Sequence, residues 1–457
     1  MKKIKNHPLS INAQITSSGI KIMVDKKSYQ IIYPKKIWAK TPPSTKQILT
    51  QNLSYGWTHF LPLILDRDKI VYHHPLPLFE SFLFKNQLYD LVYVEQLENK
   101  KPLSYLKKFY NQNVEFDDLN SATIKTEEIP KFKKTKDVAI IPFTFGKESL
   151  TTFALCLELG IEPVLVYCQE PGHPFEEKFK RKKLKELEKT FKIKTYFIKN
   201  EPGLFRYGLA FNYHLGTEIG WGAQTTLLAL MSVPFAFAHQ AKYILFGTEH
   251  SNNDVEWIND WKFFPSFDQT AESSAQQNNI IKLLTNNQCE VKCMLESLEE
   301  TNILYTLAHR YPKIAPYLFS CESKKPLHGK SQWCHQCAKC ERIYLLATGT
   351  GLDPKIFGFK KNLLANPQTI DYYFKESSLD TDFDFCFHAL NQKRIADNLV
   401  NKFKKTKFKK IKNWNYCYRR MTSLLPARNL PTKYQNKIKK IFAAELKSLK
   451  KNFFRHE

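Results

Sequence analysis

The chain has 457 residues, 43% hydrophobic and 14% aromatic, which excludes wholesale disorder and exceeds one ordinary core, so two or three domains are expected. The basic N-terminus runs into no apolar segment of signal-peptide type. The longest apolar run, TTLLALMSVPFAFA at 225–238, contains a proline and falls short of the roughly 20 residues that span a bilayer. No transmembrane segment and a soluble, cytoplasmic protein are therefore expected, with a formal net charge of +25.

In chain order, residues 1 to about 130 carry short alternating segments such as GIKIMVDKKSYQIIY and LYDLVYVEQL, broken by the turns TPPSTK and HHPLPLFE. They read as a strand-rich α+β domain. TIKTEEIPKFKKTK (123–136), polar and charged around Pro130, suits a linker. From Asp137 the rhythm changes. VAIIPFTF is a continuous apolar run, as a parallel strand buried on both faces requires. A helix is expected over about 148–159, a strand at EPVLVYC, and a charged amphipathic helix at PFEEKFKRKKLKELEKTF. A strand at KTYFIKN follows, then an apolar helix over about 223–239 and a strand at KYILFG. Strands alternating with helices at this spacing predict βαβ units and a doubly wound, Rossmann-like parallel sheet over 137–364.

The region 365–457 reads as basic and mostly helical. Residues 391–457 hold 20 Lys/Arg against 3 Asp/Glu, a balance of +17 within the total of +25. The stretch NKFKKTKFKKIKN interleaves lysine with phenylalanine. It admits a patch for nucleic acid such as RNA, anionic lipid or an acidic partner, or simply a lysine-rich solvated face.

Three motifs carry chemistry. TFGKES (144–149) joins a buried strand to a helix, where backbone N–H groups and the helix N-terminus favour phosphate. Thr144, Phe145, Gly146, Lys147, Glu148 and Ser149 are the candidate nucleotide-binding residues. Gly146 permits close approach, Lys147 neutralises charge, Glu148 holds magnesium or caps the helix, and Ser149 donates a hydroxyl. The spacing is neither G-x-x-x-x-G-K-[ST] nor G-x-G-x-x-G, and a purely structural turn stands as the alternative. Second, FGTEHSNND (246–254) ends a strand, placing Glu249, His250, Asn252 and Asp254 as candidates to face a ligand cleft, or as a hydrophilic Asx-turn loop. Third, Cys321, Cys334, Cys337 and Cys340 stand at C-x₁₂-C-x₂-C-x₂-C spacing. Four thiolates suit a closed tetrahedral zinc site, with an iron–sulfur cluster, free thiols, or replacement of one cysteine by His328 or His335 as alternatives. Most of the six other cysteines sit singly in apolar surroundings and read as small core residues.

Together these motifs resemble the N-type ATP pyrophosphatases, the PP-loop or adenine nucleotide alpha hydrolase-like superfamily, whose loop reads S-G-G-x-D-S. Thr144 stands at the first serine, Gly146 at the second glycine, Glu148 at the aspartate and Ser149 at the last serine. Phe145 replaces the first glycine. The zinc knuckle is similar to that of 7-cyano-7-deazaguanine synthases. The overall layout resembles UDP-N-acetylmuramoyl-L-alanyl-L-glutamate epimerases, which activate a glutamate carboxylate before inverting the adjacent carbon. The likeness spans about 137–364, only loosely 1–130, and not the basic tail.

The resemblance implies an adenylating enzyme that cleaves ATP to AMP and pyrophosphate to activate a carboxylate on a small molecule. Its cofactors would be magnesium near Glu148 or Asp254 and structural zinc. Lys147 would supply charge to the phosphates, and Glu249, His250 and Asp268 are candidate bases if an α-proton is removed. Alternatives from the same reading are a deazaguanine synthase-like or tRNA-modifying enzyme. A nucleotide- or nucleic-acid-binding protein that has lost turnover, suggested by Phe145 and the basic tail, is the reading from another class.

Overall fold

The computed structural model describes residues 7–98, 101, 103–120, 129–211, 219–323, 332–365, 381–393, 395, 401 and 414–454. The lysine–phenylalanine stretch 402–413 and His328 lie outside the described residues. The molecule is an α/β protein organised on a ten-stranded, mostly parallel mixed sheet. Its N-terminal strands are β1 (Leu9–Thr16), β2 (Gly19–Val24), β3 (Lys27–Ile32), β4 (Lys69–Pro75) and β5 (Asn113–Asp118). Its later strands are β6 (Lys136–Pro142), β7 (Glu162–Cys168), β8 (Lys194–Asn200) and β9 (Ala241–Phe246). A separate hairpin, β10 (Glu256–Ile258) with β11 (Trp261–Phe263), precedes β12 (Glu290–Cys293).

The sheet order is β12-β9-β6-β7-β8-β3-β2-β1-β4-β5. The pairs β1–β2, β2–β3 and β3–β8 are antiparallel, and the other neighbours in this sheet are parallel. The N-terminal strands thus extend the same sheet, joined edge to edge where Ile31 pairs with Asn200 and Ile32 with Lys199. Within the parallel block the chain runs outward from β6 through β7 to β8, then returns to β9 and β12 on the other side. The direction of winding therefore reverses between β6 and β9.

Burial on both faces explains the continuous apolar runs. Ala139 and Ile141 of β6 face one core, with Leu165 and Tyr167 of β7; Val138 and Ile140 face the other, with Val164 and Val166. Each of the valine, leucine and isoleucine side chains contributes roughly 1.5–3 kcal/mol on leaving water. The first face is covered by the helices Lys147–Leu159 and Glu300–Arg310, and the second by Pro43–Thr58, Gln224–His239 and Ala271–Leu284.

Two expectations change. LYDLVYVEQL is not a strand but the second half of the 18-residue helix Glu80–Leu97. The run from Glu80 contains neither glycine nor proline, and Leu83, Leu91 and Val94 return to one buried face at helical spacing. That packing overrides the strand preference of Val92, Tyr93 and Val94. The basic tail, unplaced from sequence, packs into the core. Its helices Thr381–Gln392, Trp414–Thr422 and Gln435–Phe454 bury Phe385, Met421, Ile438, Phe442 and Leu449 in the cluster that holds Leu150 and Phe153. On the last helix Lys437, Lys439 and Lys440 face water while Ile438 and Ile441 face inward, the amphipathic pattern of a surface helix. No described helix is long and apolar enough to cross a membrane.

Candidate functional site

A cleft of about 720 Å³ opens over the C-terminal ends of β6, β7, β8 and β9, and so includes the point where the winding reverses. Ligands of open α/β sheets bind there because diverging loops leave a crevice.

The turn after β6 forms its floor. Gly146 is extended and precedes the first residue of the helix Lys147–Leu159, whose first backbone bond runs from the Leu150 N–H to the Gly146 carbonyl at 3.1 Å. The backbone N–H groups of that first turn have no partner within the helix, and the helix dipole adds partial positive charge. The Ser149 hydroxyl donates to the Gly146 carbonyl at 3.2 Å, and the Thr144 hydroxyl oxygen accepts from the Gly146 N–H at 3.4 Å. Both hydroxyls thus shape the turn. Phe145 holds a left-handed conformation, φ 67°, which costs a bulky residue roughly 1–2 kcal/mol. Its ring is fully buried, edge-on to Phe143 at 4.7 Å and to Tyr167 at 6.4 Å. Its carbonyl accepts from the Phe319 N–H at 3.0 Å. The ring therefore packs in the core, while Thr144, Gly146, Lys147 and Glu148 line the cleft.

Lys147 sits among three carboxylates: adjacent Glu148, Glu300 at 2.8 Å and Glu249 at 3.7 Å. Burial opposes its charge, but Glu148, Glu300 and Glu249 together hold its pKa above that of a free lysine. Burial pushes Glu249 up to about 8, against the pull of Lys147 and with Glu300 and Glu148 adding repulsion. Glu300 behaves oppositely: burial alone would raise it, and Arg342 and Lys147 hold it below the ordinary carboxylate range. One buried oxygen of Glu249, Oε2, has no hydrogen-bond donor. Glu148, Glu249 and Asp254 line the same cleft, but among the described residues the four cysteines are the group whose ligand atoms converge as a metal site requires. Asp254 also accepts from Arg420 Nη2 at 2.7 Å, and Arg420 in turn pairs with buried Glu299.

Of the residues singled out in sequence, Thr144, Gly146, Lys147, Glu148, Glu249, Asn252 and Asp254 meet in the cleft. Ser149 supports the turn from below, and Phe145 anchors it in the core. His250 and Asp268 are not brought to the cleft wall. His250 Nδ1 lies 3.3 Å from the Glu296 carbonyl. Asp268 is buried and accepts from the Thr225 N–H at 2.6 Å and the Thr225 hydroxyl at 2.9 Å. It thereby caps the helix Gln224–His239 from a distant loop. Sequence reasoning missed Glu300, Arg342, Arg420, Glu170 and Arg206. The first two lie near the starts of helices whose partners in space are far away in sequence. A signal for Arg206 existed: a single cation inside the aromatic stretch GLFRYGLAF.

The four cysteines converge, their sulfurs lying within 4.8 Å of one another. Cys337 is 3.4 Å from Cys340 and 4.0 Å from Cys321, and Cys334 is 3.7 Å from Cys340. Tetrahedral thiolates about 2.3 Å from zinc stand roughly 3.8 Å apart, so the set fits a closed zinc site. His335 is not needed as a ligand, because its Nε2 accepts from the Lys360 N–H at 3.1 Å. The cysteine cluster also reaches the cleft. Cys337 precedes the helix Ala338–Thr350, which carries Arg342 to Glu300, and Phe319, two residues before Cys321, holds the Phe145 carbonyl.

No protein-family model matches the chain, and no curated protein matches it in sequence.

Proposed function

We propose that this protein is an ATP-dependent adenylating enzyme of the PP-loop type, built on an adenine nucleotide alpha hydrolase-like, doubly wound sheet. The observation that carries the reading is the 144–149 turn. It lies where the winding reverses, turns the Phe145 ring into the core and presents Gly146, Lys147 and the helix N-terminus to the cleft. The buried Phe145 ring favours a working phosphate cradle over a degenerate one.

In this reading the nucleotide phosphates rest on the turn and the first helical N–H groups, and Lys147 exchanges part of its carboxylate contacts for phosphate oxygens. A substrate carboxylate oxygen forms a bond to the α-phosphorus as the α–β bridge breaks, leaving an acyl-adenylate and pyrophosphate. Magnesium, whose chemistry is to neutralise the charge on the departing pyrophosphate, would come with the nucleotide and be met by Glu148 or Asp254. Glu300, fixed by Arg342, keeps Lys147 charged and in place. Positioning and charge neutralisation carry such a reaction. The zinc site is structural and braces both the turn and the Arg342 helix.

Purified protein given ATP, magnesium and a panel of carboxylates, including peptidoglycan-precursor peptides and deazapurine acids, is expected to release AMP and pyrophosphate. Lys147→Met should lower that rate by about 100-fold or more. Release of ADP and phosphate, or no cleavage with any acceptor, would sink the proposal. Metal analysis should find about one zinc per chain, lost when Cys337 is replaced by Ser.

A further inference from the structure

On the β7–β8 side, the cleft wall is built around Arg206. Its side chain is 3% exposed, and the guanidinium lies 4.6 Å from the Trp57 ring centre and 4.1 Å from that of Trp221. Nη1 stands 3.2 Å from Glu170 Oε2, close enough for charge attraction. Yet Nε and Nη1 both lack an aligned hydrogen bond, and two neighbouring buried acceptors, Glu170 Oε1 and Asn200 Oδ1, lack a donor. Arg206, Glu170 and Asn200 all line the cleft. Native proteins satisfy roughly 90% of buried polar groups, and each failure costs about 1–3 kcal/mol. Two orphaned donors and two orphaned acceptors on one wall thus describe a ligand by its complement: it brings both an anionic oxygen pair and an N–H.

The local charge narrows the class. The other cation on this wall, Lys180, is already matched by Glu176 at 2.6 Å. A phosphate dianion would leave an excess of negative charge beside Glu170. A single carboxylate with an N–H next to it would satisfy both poles. We propose that this wall binds an amino acid, or the C-terminal residue of a peptide, with its carboxylate on Arg206 and its N–H on Glu170 and Asn200. The inference rests on reading the cleft as a substrate site and names the acceptor class; it does not require that ATP be cleaved. Trp57 and Trp221 shield Arg206 from water, which strengthens a charge-assisted bond made there.

Calorimetric titration of the full-length protein tests this with four probe sets: free amino acids, their N-acetyl forms, their C-terminal amides, and inorganic phosphate. At least one acid is expected to bind, with its amide about tenfold weaker or worse. Arg206→Gln should erase that difference, and Arg206→Lys, which keeps the charge, should retain part of it. Glu170→Gln should weaken free amino acids more than N-acetyl ones. The proposal is overturned if no acid binds or if amides bind as well as acids. It also falls if folded Arg206→Gln or Arg206→Lys keeps full preference for the acid, or if phosphate outbinds every acid. Titrating ATP–magnesium into the same proteins keeps the two readings apart. Wild type that binds the acid but not ATP refutes the nucleotide reading alone. ATP binding without acid binding refutes this one alone.

Discussion

The two ends of the cleft are charged in opposite styles. At the turn after β6, Lys147 is surrounded by Glu148, Glu249 and Glu300, and Glu300 is anchored in turn by Arg342. At the β7–β8 wall, Arg206 has one imperfectly aligned acid and two N–H groups with nothing to bond. The first end is a closed network in which each charge depends on the others. The second is open, its polar atoms already desolvated and unmet. A closed network stabilises the fold and must be rearranged by a ligand. An open one contributes little to stability and is completed by a ligand. The contrast yields measurable differences in stability.

The largest concerns the closed end. Lys147→Met removes the cation shared by three carboxylates, two of them largely buried, and leaves Glu300 to Arg342 and buried Glu249 without its cation. Breaking a buried pair by deleting one partner costs about 3–5 kcal/mol. Denaturant unfolding should show a loss of that size, and a loss under about 1 kcal/mol would mean that the network does not support the fold.

The next test concerns Asp268, whose carboxyl burial pushes up to about 7 against the bonds from Thr225. In the unfolded chain it ionises near 3.9. A raised folded value means that its stabilising contribution is complete below about pH 4 and is lost as pH climbs to about 7. Asp268→Asn keeps the acceptor oxygen without the titration. Wild type should therefore lose roughly 2–4 kcal/mol relative to the variant between pH 4 and 8. Parallel curves would show instead that the Thr225 donors and the helix N-terminus keep the carboxylate ionised throughout.

Legibility from sequence followed the range of the interactions. The strands from β6 to β9 and the helices between them were readable because a doubly buried strand writes its burial as one apolar run, and an amphipathic helix as a 3.6-residue period. Both signals are local. The cysteine site was readable because two-residue gaps bring thiolates together through a single turn. LYDLVYVEQL was misread because β-branched and aromatic residues resemble a strand until the whole eighteen-residue helix is counted. The tail hid its place because eleven of the twenty Lys/Arg in 391–457 fall within 391–420, a charge density that masks the apolar residues seating it on either side. Glu300, Arg342, Arg420 and Arg206 act through partners remote in the chain, so no window of sequence contains the pair. Asp268 shows the converse error: an acid placed near a motif suggested chemistry, and the fold uses it as a cap.

A smaller effect, the difference between two variants of one residue, probes how the turn at the closed end is held. Phe145 combines a left-handed backbone with a fully buried ring. Phe145→Ala loses the ring and keeps the backbone penalty, for a loss of about 3–5 kcal/mol. Phe145→Gly loses the same ring but relieves the backbone, so it should be the milder variant by about 1 kcal/mol. At ordinary positions the order is the reverse. Equal or reversed losses would place the residue outside the left-handed region.

The smallest effect belongs to the open end, and it is informative because it is small. Arg206→Met removes a buried charge whose N–H groups are unsatisfied and fills the space between aromatic rings with an apolar chain of similar reach. The lost attraction to Trp57, Trp221 and Glu170 is offset by the desolvation no longer incurred, and Glu170, whose carboxyl burial already raises above its ordinary range, takes up a proton in place of the lost partner. Stability within about 1 kcal/mol of wild type is therefore expected, against 3–5 kcal/mol at Lys147. A loss above about 2 kcal/mol at Arg206 would make it a second structural cation and remove the contrast between the two ends. A near-neutral change, together with loss of the acid-over-amide preference in titration, would mark a residue kept for its ligand and not for the fold.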